Sequence, residues 1–362
     1  MLDMDILKLI MCFSVAFGVS LALTPFVKVL AQKIGAIDVP DARRVHDHPI
    51  PRMGGLAIFY GFLIGVMCFC QLDKALRGIL IGSLIIVALG IADDVKQLGA
   101  KLKFLVQIVV ACIVVGHDIV IEYVSVPTFI SETGIIGLGY FSIPITILWI
   151  VGVTNAVNLI DGLDGLAVGV SSIATFSLFF IAILSGEMQV ALLSAALAGG
   201  CLGFLPYNFN PAKIFMGDTG STFLGFMLSV VCIQGLFKGY VVISFIIPFL
   251  ILGLPIFDTA FAIVRRIWNK KPIMAPDRGH LHHKLMDMGF SQKQTVAILY
   301  VITSILALSA VVVLEIGAYT AAVFVVTIAV FSAFAYKIYS TNRKAHEESL
   351  EEIPTEVPKE AE

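Results

Sequence analysis

Long apolar runs alternate with short polar segments along most of this 362-residue chain. Crossing the hydrocarbon of a bilayer takes about 20 apolar residues in a helix. Runs close to that length cover residues 6–30, 53–71, 76–92, 103–121, 140–160, 165–185, 189–207, 217–236, 240–263, 294–315 and 317–338. The pattern predicts an all-α, polytopic membrane protein with about 11 transmembrane helices. An odd number of crossings leaves the two termini on opposite sides. Composition agrees: 58% of residues are hydrophobic and 14% charged, more apolar than a soluble domain tolerates. With the C-terminus cytoplasmic and the N-terminus outside, only Lys8, Lys74, Arg77 and Lys238 of the 24 Lys and Arg residues fall at exposed outer positions. That asymmetry follows the positive-inside rule.

The organisation is simple. Residues 1–339 form one transmembrane body, and 340–362, with seven Glu, read as a disordered acidic cytoplasmic tail. The first apolar run lacks a basic leader and a small-residue cleavage site, so it reads as a retained helix. All six cysteines lie within apolar spans without metal-ligand spacing and read as small hydrophobes.

Polar chemistry gathers where the apolar runs end. A charge at bilayer depth costs roughly 2.5–3.5 kcal/mol on insertion scales, so repeated acidic groups there predict one shared site. Asp93 and Asp94 close the third run, followed by Lys96, Lys101 and Lys103. Adjacent carboxylates repel and require a cation or a shared proton. Asn155, Asn158, Asp161 and Asp164 recur every third residue, with Gly162 and Gly165 placed to bend the stripe. They offer donors and acceptors for a nucleobase and a ribose, and hard oxygens for a cation, but not the spacing of an EF-hand. Asp218 lies between Gly217 and Gly220 at the start of the eighth run, where a helix N-terminus favours anions. The loop near residues 41–55 carries Arg43, Arg44, His46, His48 and Arg52, and the loop at 265–293 carries Arg278, His280, His282 and His283. Asp258, after Pro255, is expected to pair with a cationic group of the site. P-loop, dinucleotide-binding and serine-hydrolase motifs are absent from the sequence.

In these motifs the chain resembles the polyprenyl-phosphate N-acetylhexosamine-1-phosphate transferases of glycosyl transferase family 4. The likeness runs in one order from about Asp38 to Gly289. Asp277-Arg-Gly-His-Leu-His-His283 is similar to the branch that uses UDP-GlcNAc. The resemblance implies transfer of GlcNAc 1-phosphate from UDP-GlcNAc to undecaprenyl phosphate, with release of UMP and dependence on magnesium, or manganese in its place. It also implies roles. Asp218 would be the main metal ligand, with Asn158 assisting. Lys103 would hold phosphate, and Asp93 and Asp94 would position or deprotonate the lipid phosphate. Asp161 and Asp164 would face the nucleoside, and Arg278, His280, His282 and His283 the diphosphate or sugar. Ala92 stands where some relatives carry a further Asp, which counts against any scheme needing three consecutive carboxylates.

The expected surroundings are the lipid bilayer, with the site on the cytoplasmic side of the plasma membrane, no nucleic acid, and a homodimer left open. Two other readings stay in view. One is the same chemistry with UDP-MurNAc-pentapeptide or another UDP-HexNAc as donor. The other is a secondary transporter, although transporters place their charges near the midplane instead of at helix ends.

Overall fold

The computed structural model describes residues 2–40, 48–125, 135–236, 246–270, 272 and 279–316. Their helices are α1 (Leu2–Ile34), α2 (Gly55–Phe69), α3 (Lys74–Lys96), α4 (Ala100–Val115), α5 (Ser142–Leu159), α6 (Leu166–Leu184), α7 (Met188–Asn208), α8 (Gly217–Leu236), α9 (Ile246–Ile251), α10 (Gly253–Trp268), α11 (Leu281–Asp287) and α12 (Gln292–Ile316). The chain is an all-α membrane protein. Among the described residues six helical segments are long and apolar enough to cross a bilayer: Met4–Ile34, Lys74–Lys96, Gly139–Leu159, Leu166–Leu184, Met188–Asn208 and Gln292–Val313. Gly55–Phe69 is a shorter apolar helix.

Packing centres on α7 and α8. Lipid gives helices no hydrophobic reason to associate, so close approach through small residues carries the contact. α7 does this against α1: a Cβ on Gly199 would lie 2.4 Å from the Phe13 carbonyl oxygen, and one on Gly203 2.4 Å from that of Phe17. The Ser20 hydroxyl donates to the Gly200 carbonyl at 2.7 Å across the same contact. α8 packs against α3 and α5 and buries Phe223, Phe226 and Met227 completely.

Helix direction then sorts the ends. α3, α5 and α7 finish, and α4, α6, α8 and α12 begin, at one end of the bundle, where their residues meet through Asp94, Lys103, Asn158, Asn208 and Tyr300. α2 also begins there, since Gly55 donates to the Met216 carbonyl. Two short antiparallel pairs add to the helices: β1 (Ile37–Asp38) with β2 (Ile50–Pro51), and β3 (Tyr123–Ser125) with β4 (Ile135–Gly137).

Several boundaries differ from the hydropathy reading. α1 covers 2–34 instead of 6–30, and α4 stops at Val115 instead of 121. The run expected as one helix over 240–263 is divided at Leu252 into α9 and α10. Proline explains the division, because Pro255 lacks an N–H and is tolerated in the first turn of a helix but not in its interior. The 265–293 segment also holds a helix, α11, together with the last turn of α10. The expected span at 317–338 and the tail at 340–362 lie outside the described residues, as do 240–245.

Candidate active site

The centre of the site is one ammonium group shared by two carboxylates. α4 begins at Ala100, just after α3 ends, so its first turn carries Lys103 back over the end of α3. Lys103 Nζ lies 3.1 Å from Asp93 Oδ2 and 2.8 Å from Asp218 Oδ2. Asp93 further accepts the Leu98 N–H at 2.7 Å, which closes the turn between the two helices.

Asp94 faces the start of α8. Gly217, at φ +70°, turns the chain so that the first amides of α8 point at this carboxylate. Asp94 Oδ1 accepts from the Asp218 N–H at 3.0 Å, and Oδ2 accepts from the Thr219 N–H at 3.0 Å and the Thr219 hydroxyl at 2.6 Å. Asp94 thus caps a helix from another part of the chain, satisfying donors that a helix N-terminus leaves unpaired. Arg52 closes the arrangement from a third direction, donating Nε and Nη2 to the Asp94 carbonyl at 3.0 and 2.8 Å and lying 3.6 Å from Asp38. Its place is set by backbone: Phe215 N–H donates to the Pro51 carbonyl, and Gly54 N–H to the Phe215 carbonyl.

These groups border a cleft of about 360 Å³ whose wall includes Asp38, Arg52, Asp94, Asn158, Asp161, Asp164, Asp218 and His283. Asn158 Nδ2 donates to Ser221 Oγ at 2.8 Å. Asp161 reaches the cleft from the turn after α5. Its enclosure by protein, reinforced by repulsion from Asp218, Asp94 and Asp164, pushes its carboxyl up to about 8. Asp164 also borders the cleft, but one of its oxygens accepts from Asn210 Nδ2 at 2.9 Å and the Ala212 N–H at 3.0 Å, which fastens the α7–α8 connection. Asn155 lies elsewhere: its amide donates to Gln107 of α4 and to the Val151 carbonyl.

His280 and His282 stack, and His283 tilts against His282 at the cleft. His280 and His282 rings are parallel with centroids 5.8 Å apart, and His282 and His283 centroids are 4.3 Å apart. Only His283 borders the cleft. His282 is buried, and burial, with repulsion from His283 and His280, pushes its imidazole down to about 4. Gly162 makes room for it, since a Cβ there would lie 2.6 Å from His282 Nε2. Arg43, Arg44 and Arg278 lie outside the described residues.

Sequence reading did not single out Asp38, Thr219, Asn210 or Gln292. Asn210 and Thr219 sit in the polar stretch 206–221 around Asp218, where recurring amides and hydroxyls were a usable signal. Asp38 and Gln292 carried none.

Residues 76–236, from α3 through α8, match the family described as Glycosyl transferase family 4. A Bacillus subtilis (strain 168) protein named as a probable undecaprenyl-phosphate N-acetylglucosaminyl 1-phosphate transferase is 48% identical over 313 residues, covering 86% of this chain and 87% of its own. The chain belongs to glycosyl transferase family 4. As a family 4 member it is a phosphoglycosyltransferase, similar also to the decaprenyl-phosphate N-acetylglucosaminephosphotransferase of Mycobacterium tuberculosis (H37Rv), at 36% identity over 78% of this chain and 77% of that one. The phospho-N-acetylmuramoyl-pentapeptide-transferase of Caldicellulosiruptor bescii is 31% identical over 86% of this chain and 98% of its own. The match to the family thus includes α3, α4 and α8, the helices joined through Lys103.

Proposed function

We propose that this transferase moves GlcNAc 1-phosphate from UDP-GlcNAc to undecaprenyl phosphate at the cytoplasmic face of the plasma membrane. Its product would begin a cell-envelope polysaccharide such as teichoic acid or O-antigen. An acceptor phosphate oxygen attacks the β-phosphorus of the donor. A new P–O bond forms, the bond from that phosphorus to the bridging oxygen breaks, and UMP leaves with that oxygen. A phosphate monoester with its second pKa near 6 is mostly dianionic at neutral pH, so the attack needs little help from a base. It needs the two anions held in line.

The observation that carries this reading is a lysine bridging two aspartates beside an acidic cleft, at the end of an apolar bundle. Lys103 is the cation placed to hold a phosphate, Asp93 and Asp218 orient it, and Asp94 holds Asp218 in position through the end of α8. Five aspartates and Arg52 border the cleft, so a diphosphate requires additional positive charge there. Among the described residues no cluster of three or more acidic, His or Cys side chains suits a metal ion. Asp218 and Asn158 nevertheless fit magnesium, which takes one or two protein oxygens and completes its shell from substrate phosphates and water. Bound there, it or manganese would supply charge neutralisation between the reactants. Asp161, Asp164 and His283 line the same cleft, and the two aspartates would face a nucleoside there.

The test is label transfer by the purified protein. UDP-GlcNAc and UDP-MurNAc-pentapeptide are offered separately with undecaprenyl phosphate, with and without magnesium. Magnesium-dependent lipid labelling and UMP release from UDP-GlcNAc alone are expected, with loss in Asp218→Asn. Labelling from the pentapeptide donor alone, or undiminished turnover in Asp218→Asn, refutes the assignment.

A further inference from the structure

α10 has two unlike faces. Phe257, Phe261, Val264 and Trp268 form an exposed apolar stripe at helical spacing, suited to lipid. The other face holds the segment that leads into the histidine stack, and it does so at two points. Asp258 Oδ2 lies 2.8 Å from His280 Nδ1, and Asp258 Oδ1 accepts the Leu281 N–H at 2.8 Å. Arg265 Nη1 donates to the Gly279 carbonyl at 2.9 Å. Seven residues make nearly two helical turns, so Asp258 and Arg265 project from one side of α10. Gly279 admits the guanidinium: a Cβ there would lie 2.2 Å from Arg265 Cζ. Three successive residues, Gly279 to Leu281, are therefore held by one helix. His282 follows directly, seated against Gly162 and in tilted ring contact with His283 at the cleft.

We propose that Asp258 and Arg265 are positioning residues, a two-point clamp through which α10 sets where His282 packs and thereby where His283 stands against the donor. Neither borders the acidic cleft, so each acts through the histidines. Asp258 also orients His280: a carboxylate on Nδ1 favours a proton on that nitrogen and fixes the ring. A contact from His283 would hold bound donor and transition state alike, so its displacement raises KM more than it lowers kcat. This kinetic consequence rests on the donor reading above, whereas the clamp itself does not.

The experiment separates the two. Diethyl pyrocarbonate modification of each histidine in the full-length protein is followed by mass spectrometry, with exposed His48 as internal reference. His280 and His282 are 5% and 3% exposed, so slow reaction is expected in the wild type. Asp258→Ala and Arg265→Ala are expected to speed modification of both by about ten-fold, with Val264→Ala on the lipid-facing stripe unchanged. With UDP-GlcNAc, the same two variants should raise KM about ten-fold with kcat within about three-fold. Asp258→Asn, which keeps an acceptor for the Leu281 amide, should fall between. Should Asp258→Ala fail to fold, Gly279→Ala tests the clamp from the other side. Unchanged protection in the clamp variants, or a loss confined to kcat, overturns the proposal. Loss of protection in a protein whose wild type does not use UDP-GlcNAc supports the clamp and refutes the donor assignment.

Discussion

Gly90→Ala tests the convergence of α3 and α8 without touching any charged group. Gly90 faces the first turn of α8, and a Cβ there would lie 2.4 Å from Thr219 Cα, 2.6 Å from Thr219 N and 2.8 Å from the Asp218 carbonyl oxygen. These are backbone atoms, so no side chain can swing away. Relief to an ordinary carbon contact of about 3.4 Å requires the helices to part by about 1 Å. The amide bonds from Asp218 and Thr219 to Asp94, now 3.0 Å, would stretch to about 4 Å, past the hydrogen-bonding range. Overpacking of this kind costs about 1–3 kcal/mol. A misplacement of about 1 Å can lower turnover about 100-fold. Gly152→Ala is the control: it is the same change in α5, exposed, with nothing within 4 Å of the new methyl. There the added helix propensity should stabilise by about 0.5–1 kcal/mol and leave the rate alone. Initial rates of UMP release and thermal unfolding in detergent would be measured for both. A Gly90→Ala protein with turnover within two-fold of wild type would show that α3 and α8 need not approach so closely, and the account of the site would fail with it.

Three further outcomes follow from the same geometry. Lys103→Met removes the only cation bonded to both Asp93 and Asp218 among the described residues and should lower turnover by at least about 1,000-fold, with Lys103→Arg recovering part; steady-state rates decide. Asp94→Ala strips the cap from α8 and should cost about 1–3 kcal/mol of stability as well as activity, read as a fall in unfolding temperature that Lys103→Met does not share. The His282 imidazole, pushed down from 6.5 to about 4, binds fewer protons folded than unfolded. Its contribution is therefore intact above pH 6.5 and is lost as pH falls towards 4, by up to about 3 kcal/mol, a slope that His282→Gln should flatten in thermal scans at stepped pH.

The apolar runs and the acidic groups at their ends were legible because each follows from a local rule: about 20 apolar residues per crossing, and charge kept away from hydrocarbon. What local rules miss is direction. Asn155 and Asn158 belong to a stripe of period three, but each three-residue step falls about 60° short of a full helical turn. The drift is enough to aim Asn155 at Gln107 of α4 while Asn158 meets Ser221 of α8. Asp94 looked like a partner for substrate in a sequence where Asp93 and Asp94 are equivalent neighbours. One step along α3 turns it towards amides more than a hundred residues away, a pairing visible only after the bundle forms. The break at Leu252 was hidden because the residues on both sides of it are apolar. Asp38 and Gln292 lacked a motif, and only the meeting of β1 and α12 at the cleft reveals them.

The cap that Asp94 places on α8 has a consequence for biosynthesis. A ribosome delivers α3 to the membrane well before α8, so a nascent chain carries its paired aspartates and Lys103 for a time without Asp218 or Thr219. The constellation is completed only when α8 has been inserted beside α3. Until then an immature polypeptide has no assembled centre for transfer.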